Sequence, residues 1–171
     1  MRKFVKLALA VSGLGLVGAT SGCASMHKDH AQKLSTSDVP ARVMDPVRAR
    51  FPGAQVTSVE REKENGQIIY DFELTQNGRK YESDVRDDGT IVEIEKQVNL
   101  TDVPPAVTRG VHDKYANATI TEVMEVNKVN GRQETPDHYE VVLSTGGGGA
   151  KDKEVNVSMD GKVTEESGDE K

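Results

Sequence analysis

The sequence predicts an α+β fold of two tandem repeats, each one helix packed on a four-stranded antiparallel meander sheet. Three observations lead there. The chain is written twice: Ser37-Asp38-Val39-Pro40-Ala41-Arg42-Val43 returns as Thr101-Asp102-Val103-Pro104-Pro105-Ala106-Val107, and Phe51-Pro52-Gly53-Ala54-Gln55-Val56 returns as Tyr115-Ala116-Asn117-Ala118-Thr119-Ile120. Self-similarity of this kind marks one supersecondary unit duplicated, and two copies are too few for a solenoid. Within each copy a four-residue apolar period gives way to a two-residue period. Between the strand-like runs stand dipeptides suited to tight hairpins.

The N-terminal segment comes first and sets the compartment. Arg2, Lys3 and Lys6 form a positive region before an apolar stretch from Leu7 to Ala19, too short to span a bilayer and typical of a secretory signal. Ser21-Gly22-Cys23 then resembles the lipobox of bacterial lipoproteins, with Thr20 where an aliphatic residue is usual. That resemblance implies a lipoprotein signal peptide over residues 1–22 and a lipid-modified Cys23 as the first mature residue. The alternative is an ordinary secreted or periplasmic soluble protein cut just after Ala24. An acylated cysteine holds a protein at a membrane surface without spanning it. Ala24, in place of an Asp that would retain a Gram-negative lipoprotein in the inner membrane, favours the periplasmic face of the outer membrane. Cys23 is the only cysteine, so no intramolecular disulfide is available. Residues 23–36 lack apolar periodicity and read as a flexible tether.

The first repeat is assigned to residues 37–99. Pro40 suits a first helical turn, and Val39, Val43, Val47 and Phe51 make one apolar stripe. Pro52-Gly53 ends the helix. Ile68, Tyr70, Phe72 and Leu74 then alternate with Gln67, Ile69, Asp71 and Glu73, as expected of a strand with one buried face. Asn65-Gly66, Asn77-Gly78 and Asp88-Gly89 are the turns. The second repeat, residues 100–167, carries the stripe Val103, Val107, Val111 and Tyr115, and the turns Asn130-Gly131 and Asp160-Gly161. Pro46 and Gly110 occupy equivalent helix positions, and each predicts a bend. Gly146 to Gly149 lie in a longer loop reaching Lys153, and residues 168–171 form a disordered tail.

Composition narrows the function. Signal removal takes three of the 22 basic side chains against 28 acidic ones, leaving a net charge of −9. That argues against nucleic acid, which needs clustered Lys and Arg, and against direct adhesion to anionic headgroups. The sequence holds no Gly-x-Ser-x-Gly, Walker or His-Glu-x-x-His pattern and no thiol besides Cys23, so it predicts no enzyme and no cofactor. His27 and His30 read as solvated tether residues, and His112 and His138 as surface or boundary residues. The glycine run leads into a strand, not a helix N-terminus, and reads as a hairpin loop. The Asp-Gly pairs lack EF-hand spacing and predict no metal.

Strand parity supplies the one candidate site. With Tyr70, Phe72, Tyr81, Val85, Val92, Ile94, Tyr139, Val141, Val155 and Val157 facing the helices, the alternate positions face away. These include Asp71, Glu73, Glu82, Asp84, Glu93, Glu95, Glu140 and Glu154, relieved mainly by Lys80 and Arg86. Such a face is ordinarily just solvated. Its functional reading is a docking surface for a basic partner, because one-signed charge speeds association with the opposite sign.

The helix pattern Val-Pro-x-x-Val, followed by Phe51-Pro52-Gly53-Ala54 and by hairpins ending in Asp-Gly, resembles the PepSY-like domain of bacterial envelope proteins, related to the tandem β-lactamase inhibitor protein. The likeness spans residues 37–167 and fits the first copy better, since Tyr115-Ala116-Asn117-Ala118 departs at two positions. It implies an extracytoplasmic protein that binds or inhibits other proteins, with no catalytic motif. Two expectations follow: a lipid-anchored protein-binding or inhibitory module acting on an envelope protein, or a small-ligand or cation-binding envelope protein using the same acidic face.

Overall fold

In the computed structural model, residues 31–144 and 152–166 are described. Cys23, His27, His30, the Gly146–Gly149 run and the 168–171 tail lie outside them. Strand β1 (Gln32–Lys33) leads to helix α1 (Ala41–Arg50) and strands β2 (Gln55–Glu64), β3 (Gln67–Gln76), β4 (Arg79–Arg86) and β5 (Ile91–Gln97). A 3₁₀ turn at Leu100–Asp102 precedes helix α2 (Pro105–Lys114) and strands β6 (Thr119–Asn130), β7 (Gln133–Ser144), β8 (Lys153–Ser158) and β9 (Val163–Glu166).

The nine strands form one antiparallel sheet in chain order, so the helices share a sheet, where the sequence predicts one for each. The reason lies at the centre. β5 and β6 pair from Glu93↔Lys128 to Gln97↔Met124, and two edges that would otherwise stand open satisfy each other. The predicted tether likewise ends in structure: Gln32 and Lys33 pair with Arg61 and Glu60, and Leu34 N–H reaches the Val59 carbonyl at 2.9 Å.

Both helix stripes are buried as their period requires. Val39, Val43, Met44, Val47 and Phe51 pack on Val59, Tyr70, Phe72, Leu74, Val85 and Ile94. Val103, Val107 and Val111 pack on Val123, Tyr139, Val141, Leu143, Val155 and Val157, with Tyr115 half-buried at the margin. Following the register across the sheet puts both clusters on the same face. One inward residue is misassigned by simple alternation. Asp84 pairs with Glu93 but Val85 with Ile91, so Val92 is the extra residue of a bulge and Ile91 takes its place beside the core.

Pro46 and Gly110 sit inside continuous helices. Pro46 has no N–H to offer the Arg42 carbonyl four residues back. The Asp88-Gly89 turn comes against that same carbonyl, where a Cβ on Gly89 would stand 2.2 Å from the oxygen. Gly110 has a different reason: a Cβ there would lie 1.7 Å from the Gly161 carbonyl oxygen, so the Asp160-Gly161 turn is seated directly on α2. The turns at Asn65-Gly66 and Asn77-Gly78 have positive φ at all four residues, as two-residue hairpins with right-handed twist need.

Candidate functional site

Two-residue turns fix register, and register decides which acidic residues meet. The Asn77-Gly78 turn sets Gln76 opposite Arg79, which puts Glu73 opposite Glu82 and Asp71 opposite Asp84. Continued through neighbouring strands, one row across the sheet reads Glu60, Asp71, Asp84, Glu93, Lys128. The next reads Glu73, Glu82, Glu95, Val126, His138. Both rows lie on the face away from the helices. Like charges directly opposite each other destabilise a sheet, so these rows carry a cost that hydrophobic packing must offset.

The expectation of a solvated face needs correction. Glu82, Asp84, Glu93, Glu95 and Glu140 are buried, with 7, 5, 8, 0 and 6% exposure. Asp71, Glu73 and Glu154 are half-buried. Each of the five buried carboxylates is engaged in a polar or electrostatic interaction, as removal of charge from water demands. The interior strands of a broad sheet also flank every side chain on both sides, unlike the exposed ribbon that alternation alone suggests. Arg86 is exposed, whereas Lys80 donates to Glu122 at 2.7 Å.

The carboxylate rows run through β2–β5, and beyond them Glu122, Glu140 and Glu154 stand singly among other residues of this face. On β6 and β7 the same face turns largely apolar, with Met124, Val126 and Val142 buried. Lys128 stands at the boundary and pairs with Glu93. Burial pulls the Lys128 ammonium down, but the hydrogen bond and charge of Glu93, aided by Asp137 and Asp84, outweigh it and hold the group above its ordinary value. His138 is close by, its Nδ1 2.9 Å from the Asp137 carboxylate and its Nε2 buried without a hydrogen-bond partner. His112 is exposed in the last turn of α2. Among the described residues no cluster of His, Cys, Asp and Glu has the makings of a metal site, and no helix is long and apolar enough to cross a membrane.

Sequence reasoning passed over Lys96, Glu122, Glu125 and Lys128. Lys96 donates to Glu125 at 2.7 Å on the helix face, and Glu122 accepts from Lys80 and from Gln97 at 3.2 Å on the other. A signal was present: β6 carries charged or amide residues at both parities, Glu122 and Lys128 against Glu125 and Asn127, unlike a strand with one buried face. Glu125 and burial also act on Tyr139, whose phenol is pushed up, by burial first.

The family model described as "Putative beta-lactamase-inhibitor-like, PepSY-like" matches residues 21–91 and 69–165. No curated protein matches the chain. Among solved structures, a DUF2874 family protein from Bacteroides uniformis is 17% identical over 75% of this chain and 88% of its own, with a TM-score of 0.54. A protein from Bacteroides eggerthii described among "putative periplasmic proteins" is 15% identical over the same shares, also at 0.54. A BLIP-like protein from Bacteroides fragilis is 19% identical over 77% and 90%, at 0.50. At these identities the likeness is one of fold.

Proposed function

We propose, since the chain belongs to the β-lactamase-inhibitor-like, PepSY-like family, that it is a non-catalytic protein-binding or inhibitory module of the cell envelope. Its working surface is the sheet face away from the helices. The observation that carries this reading is the pair of carboxylate rows, Glu60-Asp71-Asp84-Glu93 and Glu73-Glu82-Glu95, set opposite each other by register. An arrangement that costs stability and serves no helix contact is reasonable where a cationic partner offsets it. The BLIP-like description of one structural neighbour and the periplasmic description of another support the same placement. Attachment through a lipid on Cys23, at the periplasmic face of the outer membrane, belongs to this proposal, as does descent of the two halves from one duplicated helix-plus-four-strand unit.

Crosslinking and capture from envelope extract supply the partner. Glu73→Lys with Glu154→Lys, at half-buried positions, should then slow association and flatten its salt dependence while the protein stays folded. Glu140→Lys is unsuitable because that side chain is buried. Unchanged association kinetics would overturn the assignment of this face. Saturable heat of binding with divalent cations or polyamines would favour small-ligand binding. Cys23→Ser should release the protein from membranes, and an unmodified mature N-terminus after Cys23 in the native protein would refute the anchor.

A further inference from the structure

The single sheet hides a division. On the helix face the two apolar clusters do not run together. Between Ile94 of the first and Tyr139 and Val141 of the second stand Lys96, Glu125 and Asn127, with Lys96 and Glu125 directly opposite each other. Asn127 is buried and donates to the Glu125 carbonyl and carboxylate at 3.3 Å. Apolar crossing is confined to the margins, where Val129 of β6 packs on the first cluster and Val98, just beyond β5, on the second.

Besides the β5–β6 ladder and those marginal contacts, what joins the halves is mainly charge. Lys96–Glu125 lies on the helix face. Lys128–Glu93 and Lys80–Glu122 lie on the opposite face, the latter reaching from β4 across β5 to β6. Arg50, the last residue of α1, pairs with Glu134 of β7. In every pair the cation is 35–58% exposed. An exposed pair is screened once the Debye length falls from about 10 Å at about 0.1 M salt to about 3 Å at about 1 M.

We propose that the β5–β6 junction is an electrostatic latch: two independently cored halves are held at a fixed angle by pairs placed on both faces of the sheet, and the angle loosens when those pairs are screened or displaced. A flat ladder of backbone hydrogen bonds resists separation but tolerates twist, since neighbouring strands adopt a wide range of relative rotations. Pairs on one face alone would leave bending toward the other unopposed. With Lys96–Glu125 on one side and Lys128–Glu93 and Lys80–Glu122 on the other, both senses are restrained. The latch works whether or not the acidic face binds a partner. If it does, a basic partner competing for Glu93 or Glu122 changes the angle as it docks.

The test measures the distance between spin labels at exposed Arg48 on α1 and Arg109 on α2, in mature-length protein with Cys23→Ser, at about 0.1 M and about 1 M salt. High salt should broaden and shift the distance distribution. Lys80→Gln with Lys128→Gln should produce the broadened distribution already at low salt. Lys96→Met with Glu125→Leu joins the two clusters through apolar contact and should keep the distribution narrow at both salts. If that core variant fails to fold, the Lys-to-Gln pair alone decides. A distribution unchanged by salt and by Lys80→Gln with Lys128→Gln overturns the latch.

Discussion

The two halves close the same helix stripe in different ways. In the first, Phe51 is buried and packs on Tyr81 with ring centroids 5.4 Å apart at 53°, and α1 adds buried Met44. In the second, Tyr115 stands where Phe51 does and is half-buried, with the Lys153 ammonium 4.9 Å from its ring centroid, and Thr108 replaces Met44. The hairpin turns seat alike in both halves, since a Cβ on Gly89 or on Gly161 would stand 2.2 Å from the Arg42 or the Ala106 carbonyl oxygen, but only α2 meets its turn with a glycine, Gly110, where α1 has Pro46. One half is closed by a buried aromatic ring and the other by a half-buried ring beneath a lysine. The same fold tolerates either because both seal the end of a valine stripe.

Substitutions can break this comparison in order of effect. Phe51→Ala should cost about 3 to 5 kcal/mol by urea unfolding, since it empties a buried aromatic site. A loss under about 1 kcal/mol would remove the aromatic closure from the account. Gly110→Ala forces a Cβ onto a carbonyl oxygen and should cost about 3 kcal/mol, the upper end for overpacking, and hydrogen exchange should place the loss in α2 and the β8–β9 turn. Tyr115→Ala should cost less than Phe51→Ala, about 1 to 2 kcal/mol, because Tyr115 is only half-buried. If the two aromatic deletions cost the same, the halves are closed alike after all.

The smallest effect concerns the turns, where the halves agree. The Thr90 N–H holds the Asp88 carboxyl below its usual range, and the Ser158 hydroxyl does the same for Asp160. A carboxylate whose folded pKa is depressed contributes stability that is present above its unfolded value near about 4 and is lost as pH falls through the folded value. Asp88→Asn with Asp160→Asn should therefore lower stability slightly at neutral pH, leave it unchanged in acid, and so flatten the acid limb of Tm against pH. An acid limb identical to that of the parent would show that neither turn carboxylate contributes there.

Much of this was legible in the sequence. The stripes Val39-Val43-Val47-Phe51 and Val103-Val107-Val111 follow from helical period, and the Asn-Gly turns from their need for positive φ. The acidic face followed from parity, and even the rows were within reach, since the turn at Asn77-Gly78 fixes Glu73 against Glu82. What alternation could not supply was depth. It assigns a side but not whether neighbouring strands shelter that side, so Glu95 reads as solvated and is fully buried. Nor does local pattern show that β5 meets β6, because pairing across a connection holding a helix is a long-range choice. The bulge at Val92 was hidden for the same reason: one extra residue shifts parity without any mark in composition.

β1 is two residues long, yet it bears on whether molecules of this protein can stack into fibres. β2 offers a ten-residue border, and an uncovered border of that length invites another chain to continue the sheet. Gln32 and Lys33 occupy its middle, Leu34 adds a further backbone bond, and the alternating signs of Glu60, Arg61, Glu62, Lys63 and Glu64 make any outside strand a poor match. At the far border β9 spans four residues, too short to template growth. A chain beginning at Ser37 keeps both helices and the other eight strands but loses this guard. It should sediment as higher-order species at concentrations where the longer chain remains dispersed.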